Sequence, residues 1–167
     1  MRIGRYSSEQ KQPLAHNKAT VLYPALGFDR YYDDDFFGSE DVVSFGASDE
    51  VLYNKTFDEL TKIFNSGKKF YANLIAMSAH HPFDLPERKR RFMLPQRFND
   101  TLVGNYLISQ NYADYSLGVF INKMKENGLW DKSLILIYGN HFGLPENILD
   151  RMDKKTDAGI DRETIQC

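Results

Sequence analysis

Two rhythms of apolar residues, one helical and one extended, alternate along the chain. Leu60, Ile63 and Phe64 form a helical stripe that ends at Gly67, and Ser48 followed by Asp49 and Glu50 reads as an N-cap with acids in the first turn. A helix is therefore expected within residues 49–66. The run KKFYANLIAMS, about residues 69–78, is apolar and β-rich after a turn signal and is expected to be a core strand. From Thr101 to Asn127, Leu102, Tyr106, Ala113, Leu117, Phe120 and Met124 recur at helical spacing, and Gly128 stops the pattern. Residues 133–139, SLILIYG, read as a second core strand. Helix, strand, helix, strand predicts an α/β fold with a right-handed βαβ unit.

The flanks are less regular. Residues 1–16 are a polar lead-in without periodicity, and NKATVLYPALG predicts a short helix ended by Gly27, with Pro24 disturbing its last turn. The stretch from Phe28 to Glu50 alternates aromatic pairs with acids and is expected to be an irregular surface segment whose rings dock on a core. A helix start at Pro145 and Glu146 opens a tail whose apolar pattern is then lost. The organisation expected is a lead-in over 1–16, one domain over 17–147 and a divergent tail over 148–167.

Composition narrows the function classes. A length of 167 residues suits one domain with a real core. Lys and Arg number 21 against 23 Asp and Glu, a formal charge of −2, so no global field draws the chain to nucleic acid. The single cysteine, Cys167, excludes an intramolecular disulfide and a cysteine-based zinc site. No signal or membrane-spanning segment is visible. Asp33, Asp34 and Asp35 lack the ligand spacing and glycine of a calcium loop and read as a solvated loop. The basic run from Arg88 to Arg91 reads as a solvated face, its rival being a docking patch for anionic lipid or polymer.

Chemistry points to the strand ends. The first expected strand runs into His80 and His81 and the second into Asn140 and His141, and in a parallel sheet both ends open onto one edge. His80 or His81 can then face His141 across a shared cleft, where imidazole serves as metal ligand, anion contact or acid and base. Asn140 and His141 supply at most two of the three or four ligands a metal needs.

The motifs FYANLIAMSAHHPFDLP, NYADYSLGVFINKMKENGLWDKS and LILIYGNHFGLPEN, taken in this order, resemble the sulfatase-type catalytic domain of the lipoteichoic acid synthase family, and YPALGFDRYYDDDFF is similar to the stretch that precedes them there. The resemblance covers about residues 17–147 and implies a partial sulfatase/alkaline-phosphatase-like sheet with flanking helices. It implies a membrane-anchored phosphoglycerol transferase with an extracellular catalytic domain, in which a threonine held by manganese attacks the head of phosphatidylglycerol and passes glycerophosphate to a growing polymer. By the same resemblance Asn140 and His141 match the family's Asp-His metal ligands, His80 rather than His81 matches its headgroup histidine, and Lys18 stands in the Trp-Asn-Arg headgroup group, matched here by His16, Asn17 and Lys18. The family's threonine nucleophile and glutamate ligand lie upstream of the region resembled, so no catalytic nucleophile is assigned in this chain and the chain alone is expected to be inactive. Asn140 replaces a carboxylate by a neutral amide and weakens the pull on a hard dication.

Two rival readings accompany this one. The superfold also hosts sulfatases and phosphodiesterases acting on other esters. Alternatively, the chain is a non-catalytic module that holds anionic lipid or glycerophosphate polymer through His80, His141, Lys18 and the 88–91 run. In any of these, a strand without its neighbour exposes an edge that invites a complementary chain or self-association.

Overall fold

The computed structural model describes residues 21–139, 143, 144 and 148. It opens with helix α1, described over 21–25, which ends in a Schellman motif: the Phe28 N–H donates to the Tyr23 carbonyl and the Gly27 N–H to that of Pro24, both at 2.9 Å, with Gly27 at φ 80°. Pro24 falls inside this last turn, and the glycine cap closes the helix around it.

The segment expected to be irregular carries regular structure. Asp33 caps the short helix α2, Asp34–Phe37, by accepting from the Asp35 N–H at 3.2 Å, and a hairpin follows in which β1, Val42–Val43, pairs antiparallel with β2, Gly46–Ala47. Its rings do dock as expected, with Phe37 and Ala47 buried against Leu52.

Helix α3 spans Asp49–Asn65, and its N-cap Ser48 accepts from the Val51 N–H. Helix α4 spans Leu102–Glu126, and its N-cap Thr101 accepts from the Gly104 N–H at 3.0 Å. Both end in Schellman motifs at Gly67 and Gly128. After α4 the capping residue Leu129 is buried in the same cluster as Met124, from whose carbonyl it takes the closing hydrogen bond. The two helices pack side by side around Leu60, Phe120, Met124 and Leu129, with Tyr53 stacked on Phe120 at 5.1 Å between ring centroids.

The seam of α4 departs from its apolar stripe. Buried along it are Tyr106, Ser109, Tyr112, Ser116, Phe120 and Met124, whereas Ala113 and Leu117 are half-buried. The serines fit because their hydroxyls are satisfied: Ser116 donates to the Tyr112 carbonyl at 2.9 Å and Ser109 to that of Phe83 at 3.2 Å.

The two expected core strands require correction. Residues 69–78 and 133–139 form no ladder, and the only sheet among the described residues is the β1–β2 hairpin, so no parallel βαβ unit is present there. Their apolar composition is nonetheless used on one side. Phe70, Ala72 and Leu74 alternate onto the α3–α4 cluster, joined by Ile135, while Tyr71, Leu134, Leu136, Ile137 and Tyr138 are exposed. A strand needs a hydrogen-bonded neighbour as well as a face to bury, and the described residues supply only the face.

Candidate functional site

The site is built at the N-terminal end of α3. Asp49, the first residue of the helix, is fully buried, and its Oδ1 accepts the N–H groups of Met77 and Ser78 at 3.1 Å each. Ser78, also fully buried, returns the contact: its Oγ accepts the Asp49 N–H at 3.0 Å. Three hydrogen bonds thus tie the end of the 69–78 segment to one helix terminus, with a carboxylate where the helix dipole favours negative charge.

Two tight turns follow this tie. The His80 N–H donates to the Met77 carbonyl at 3.1 Å and the Phe83 N–H to the His80 carbonyl at 2.8 Å; the His81–Pro82 peptide is cis. Phe83 sits at φ 63°, a region that a bulky side chain seldom adopts. It is held there by burial of its ring against Tyr106 and by the Ser109 hydroxyl on its carbonyl.

His80 is half-buried and His81 exposed, which separates the two histidines that the sequence leaves adjacent. The His80 ring meets Phe45 edge to face at 5.0 Å, and its Nδ1 lies 2.7 Å from the His81 carbonyl oxygen. A carbonyl only accepts, so Nδ1 carries the proton in the neutral ring and Nε2 carries the lone pair. His81 packs its ring near Phe83 at 5.6 Å.

Arg88, Arg90 and Arg91 are exposed as a solvated face requires, but the run is also ion-paired and Lys89 is half-buried. Lys89 Nζ reaches Asp41 Oδ2 at 2.6 Å and also pairs with Glu50 Oε2; Arg88 meets Asp41 Oδ1 at 2.7 Å, and Arg91 meets Glu50 Oε1 at 3.3 Å. Arg90 donates to the Leu85 carbonyl, Arg91 covers the Tyr115 ring at 3.8 Å, and the Tyr112 hydroxyl donates to Glu50 Oε2 at 2.9 Å. Burial opposes ionisation of Asp41, but hydrogen bonds from Lys89, Ser48 and Arg88 outweigh it and hold the carboxyl down at about 2. Glu50 is likewise depressed: burial raises it, and Lys89 and Tyr112 more than offset that. These charges clamp the loop after His80 onto α3 and α4, so they are engaged within the molecule.

Of the residues singled out in the sequence, the structure therefore places His80. Lys18, Asn140 and His141 lie outside the described residues, as does the expected meeting of His80 with His141. Among the described residues no group of three or more His, Cys, Asp or Glu is close enough to hold a metal, and Asp33, Asp34 and Asp35 serve α2 instead. Asp49, Ser78 and Phe45, which hold or touch this segment, are residues that sequence reasoning passed over. The available signal was Asp49 itself, read there only as a first-turn acid.

His80 thus sits on a turn that follows an extended apolar segment and is tied to the N-terminal end of α3. Residues 6–162 match the family model described as Sulfatase, and the chain belongs to the sulfatase family. Within it, its likeness is to lipoteichoic acid synthases, of which it corresponds to a partial domain. It is 33% identical over 128 residues to lipoteichoic acid synthase 2 of Bacillus subtilis, covering 75% of this chain and 19% of that protein. Lipoteichoic acid synthase of Staphylococcus aureus (strain USA300) is 33% identical over 135 residues, 80% of this chain and 20% of its own length. The crystal structure of the lipoteichoic acid synthase LtaP from Listeria monocytogenes superposes with a TM-score of 0.82 at 37% identity, over 99% of this chain and 40% of that one. An alkaline phosphatase superfamily protein from Vibrio parahaemolyticus follows at a TM-score of 0.55 and 26% identity, over 78% of this chain and 30% of that one. The chain thus spans about a fifth of the length of the curated relatives it matches.

Proposed function

We propose that this chain carries the headgroup side of a phosphoglycerol-transfer site, with His80 contacting the glycerophosphate head of phosphatidylglycerol or of a glycerophosphate polymer. The observation that carries the reading is the placement of the His80 ring, with Nδ1 on the His81 carbonyl and its face or edge against Phe45, on a turn beside the N-terminal end of α3. In the neutral ring Nε2 accepts a hydrogen bond from a glycerol hydroxyl, and in the protonated ring it donates to a phosphate oxygen. Similarity to lipoteichoic acid synthases supports the substrate class, and by the same resemblance Lys18 adds a cation that meets phosphate as a point charge.

We assign the metal-binding role to His141 and Asn140 on resemblance alone. The described residues hold no cluster that fits manganese, so no step of this proposal is routed through a metal. No residue is assigned as nucleophile, and the chain by itself is expected to bind the headgroup without turning phosphatidylglycerol over. In the cell it would work beside a membrane on the extracellular face, as the resemblance implies; no helix among the described residues is long and apolar enough to cross a membrane.

The test is an NMR titration of the full chain with glycerol 1-phosphate, following both imidazoles. Saturable shifts at His80 with His81 unmoved are expected, and a His80 resonance indifferent to the ligand rejects the reading. A calorimetric manganese titration beside Asn140→Asp tests the metal role. The natural chain is expected to bind more weakly than about 1 mM and the Asp version more tightly, because a carboxylate restores the charge that a hard dication requires. Tight binding by the natural chain removes the claim that residue 140 disables the site.

A further inference from the structure

Two of the supports of the His80 ring lead back to the start of α3. One arm is the main chain: Asp49 Oδ1 takes the Met77 and Ser78 N–H groups, and the His80 N–H closes its turn onto the Met77 carbonyl at 3.1 Å. The other arm is Phe45, which meets the His80 ring at 5.0 Å from the turn of the β1–β2 hairpin. That hairpin is pinned at Ser48, whose N–H donates to the Asp41 carbonyl at 2.7 Å and whose Oγ donates to Asp41 Oδ2 at 2.6 Å. Ser48 and Asp49 are adjacent and both fully buried, so ring and ring partner share one origin.

We propose that Asp49 is a positioning residue for His80, its carboxylate holding the Met77 and Ser78 N–H groups and its own N–H donating to the Ser78 hydroxyl. The proposal rests on the reading of His80 as the headgroup contact. An acid that merely complemented the helix dipole would do so from the surface. Asp49 is instead fully buried and accepts two hydrogen bonds from a segment 28 and 29 residues further along the chain. A displacement of that anchor passes directly to His80, because only the Ser78–Ala79 turn separates them.

The experiment uses the isotope-labelled full chain and reads the His80 ring resonances, their contacts with Phe45, and the glycerol 1-phosphate affinity, with His81 as internal control. In Asp49→Ala the His80–Phe45 contact is expected to be lost while His81 stays unchanged, and affinity is expected to fall about tenfold, the worth of one charge-assisted hydrogen bond. Asp49→Asn keeps an oxygen that accepts both N–H groups and is expected to restore the contact, with affinity within about twofold of the parent. Asp49→Ala with unchanged helicity and unchanged His80 resonances overturns the proposal, and so does an Asn variant as impaired as the Ala variant. If Asp49→Ala does not fold, Ser78→Ala replaces it with the same readouts: a weakened His80–Phe45 contact supports the role and an unchanged one overturns it. If the ring responds to these substitutions while glycerol 1-phosphate never perturbs His80 in the parent chain, the positioning role stands and the headgroup reading fails.

Discussion

Lys89 shows how far tertiary context can change the meaning of a residue. Within Arg88 to Arg91 it reads as one of four exposed cations, yet its side chain is 12% exposed and bridges Asp41 and Glu50. Lys89→Met keeps the stem and removes the charge, leaving two carboxylates facing each other, and is expected to destabilise the chain by about 2 kcal/mol in urea unfolding. Acid titration of stability checks the same network. Because Asp41 is depressed from 3.8 to about 2, its contribution is present above the ordinary value and is lost as pH falls from there towards about 2. The loss is about 2 kcal/mol, at 1.36 kcal/mol per unit. In Lys89→Met this acid-side slope is expected to flatten, and identical slopes in the two proteins would show that Lys89 does not hold Asp41 down. Neither Lys89 nor Asp49 was legible in this role, since their partners lie some 28 to 48 residues away and local pattern carries no record of them.

Helices were legible because their signals are local. Ser48 and Thr101 cap α3 and α4, Gly67 and Gly128 end them, and the observed spans of Asp49–Asn65 and Leu102–Glu126 lie within a residue of those expected. The buried seam of α4 was less legible, because Ser109 and Ser116 are polar by name and satisfied only through carbonyls that the fold brings to them or the helix itself offers. Strands failed for a different reason: composition marked 69–78 and 133–139 correctly as apolar, while pairing is a property of two segments. Two glycines in α4 give a test with opposite signs. A Cβ on Gly104 would collide with the Phe98 carbonyl, a backbone atom, so Gly104→Ala is expected to cost about 2 kcal/mol. Gly118 has nothing within 4 Å of that position, so Gly118→Ala is expected to stabilise by about 0.5 to 1 kcal/mol through helix propensity. Thermal unfolding of the pair decides it, and two shifts of the same sign would contradict the packing described for the start of α4.

At the scale of the molecule, the unpaired segments set the behaviour of the chain in solution. Leu134, Leu136, Ile137 and Tyr138 are 90%, 76%, 64% and 76% exposed, while Ile135 between them packs on the α3–α4 cluster. The segment from Ser133 to Gly139 carries no charge, so nothing in it opposes pairing with another strand. From Leu134 to Tyr138 no ladder forms among the described residues and four apolar side chains are exposed, which is the condition for β-augmentation. The protein of 167 residues is therefore expected to self-associate at about 10 to 100 μM, in the range where exposed edges and apolar surface drive assembly. Leu136→Lys places a charge in the middle of the strip and is expected to shift the sedimentation profile towards monomer while leaving the α3–α4 core and its helical circular dichroism unchanged. A parent chain that sediments as a monomer across that range would mean that the strip is already covered, and an oligomer insensitive to Leu136→Lys would move the contact to another face, such as the exposed Val21 and Leu22 of α1 with Leu26 just after it.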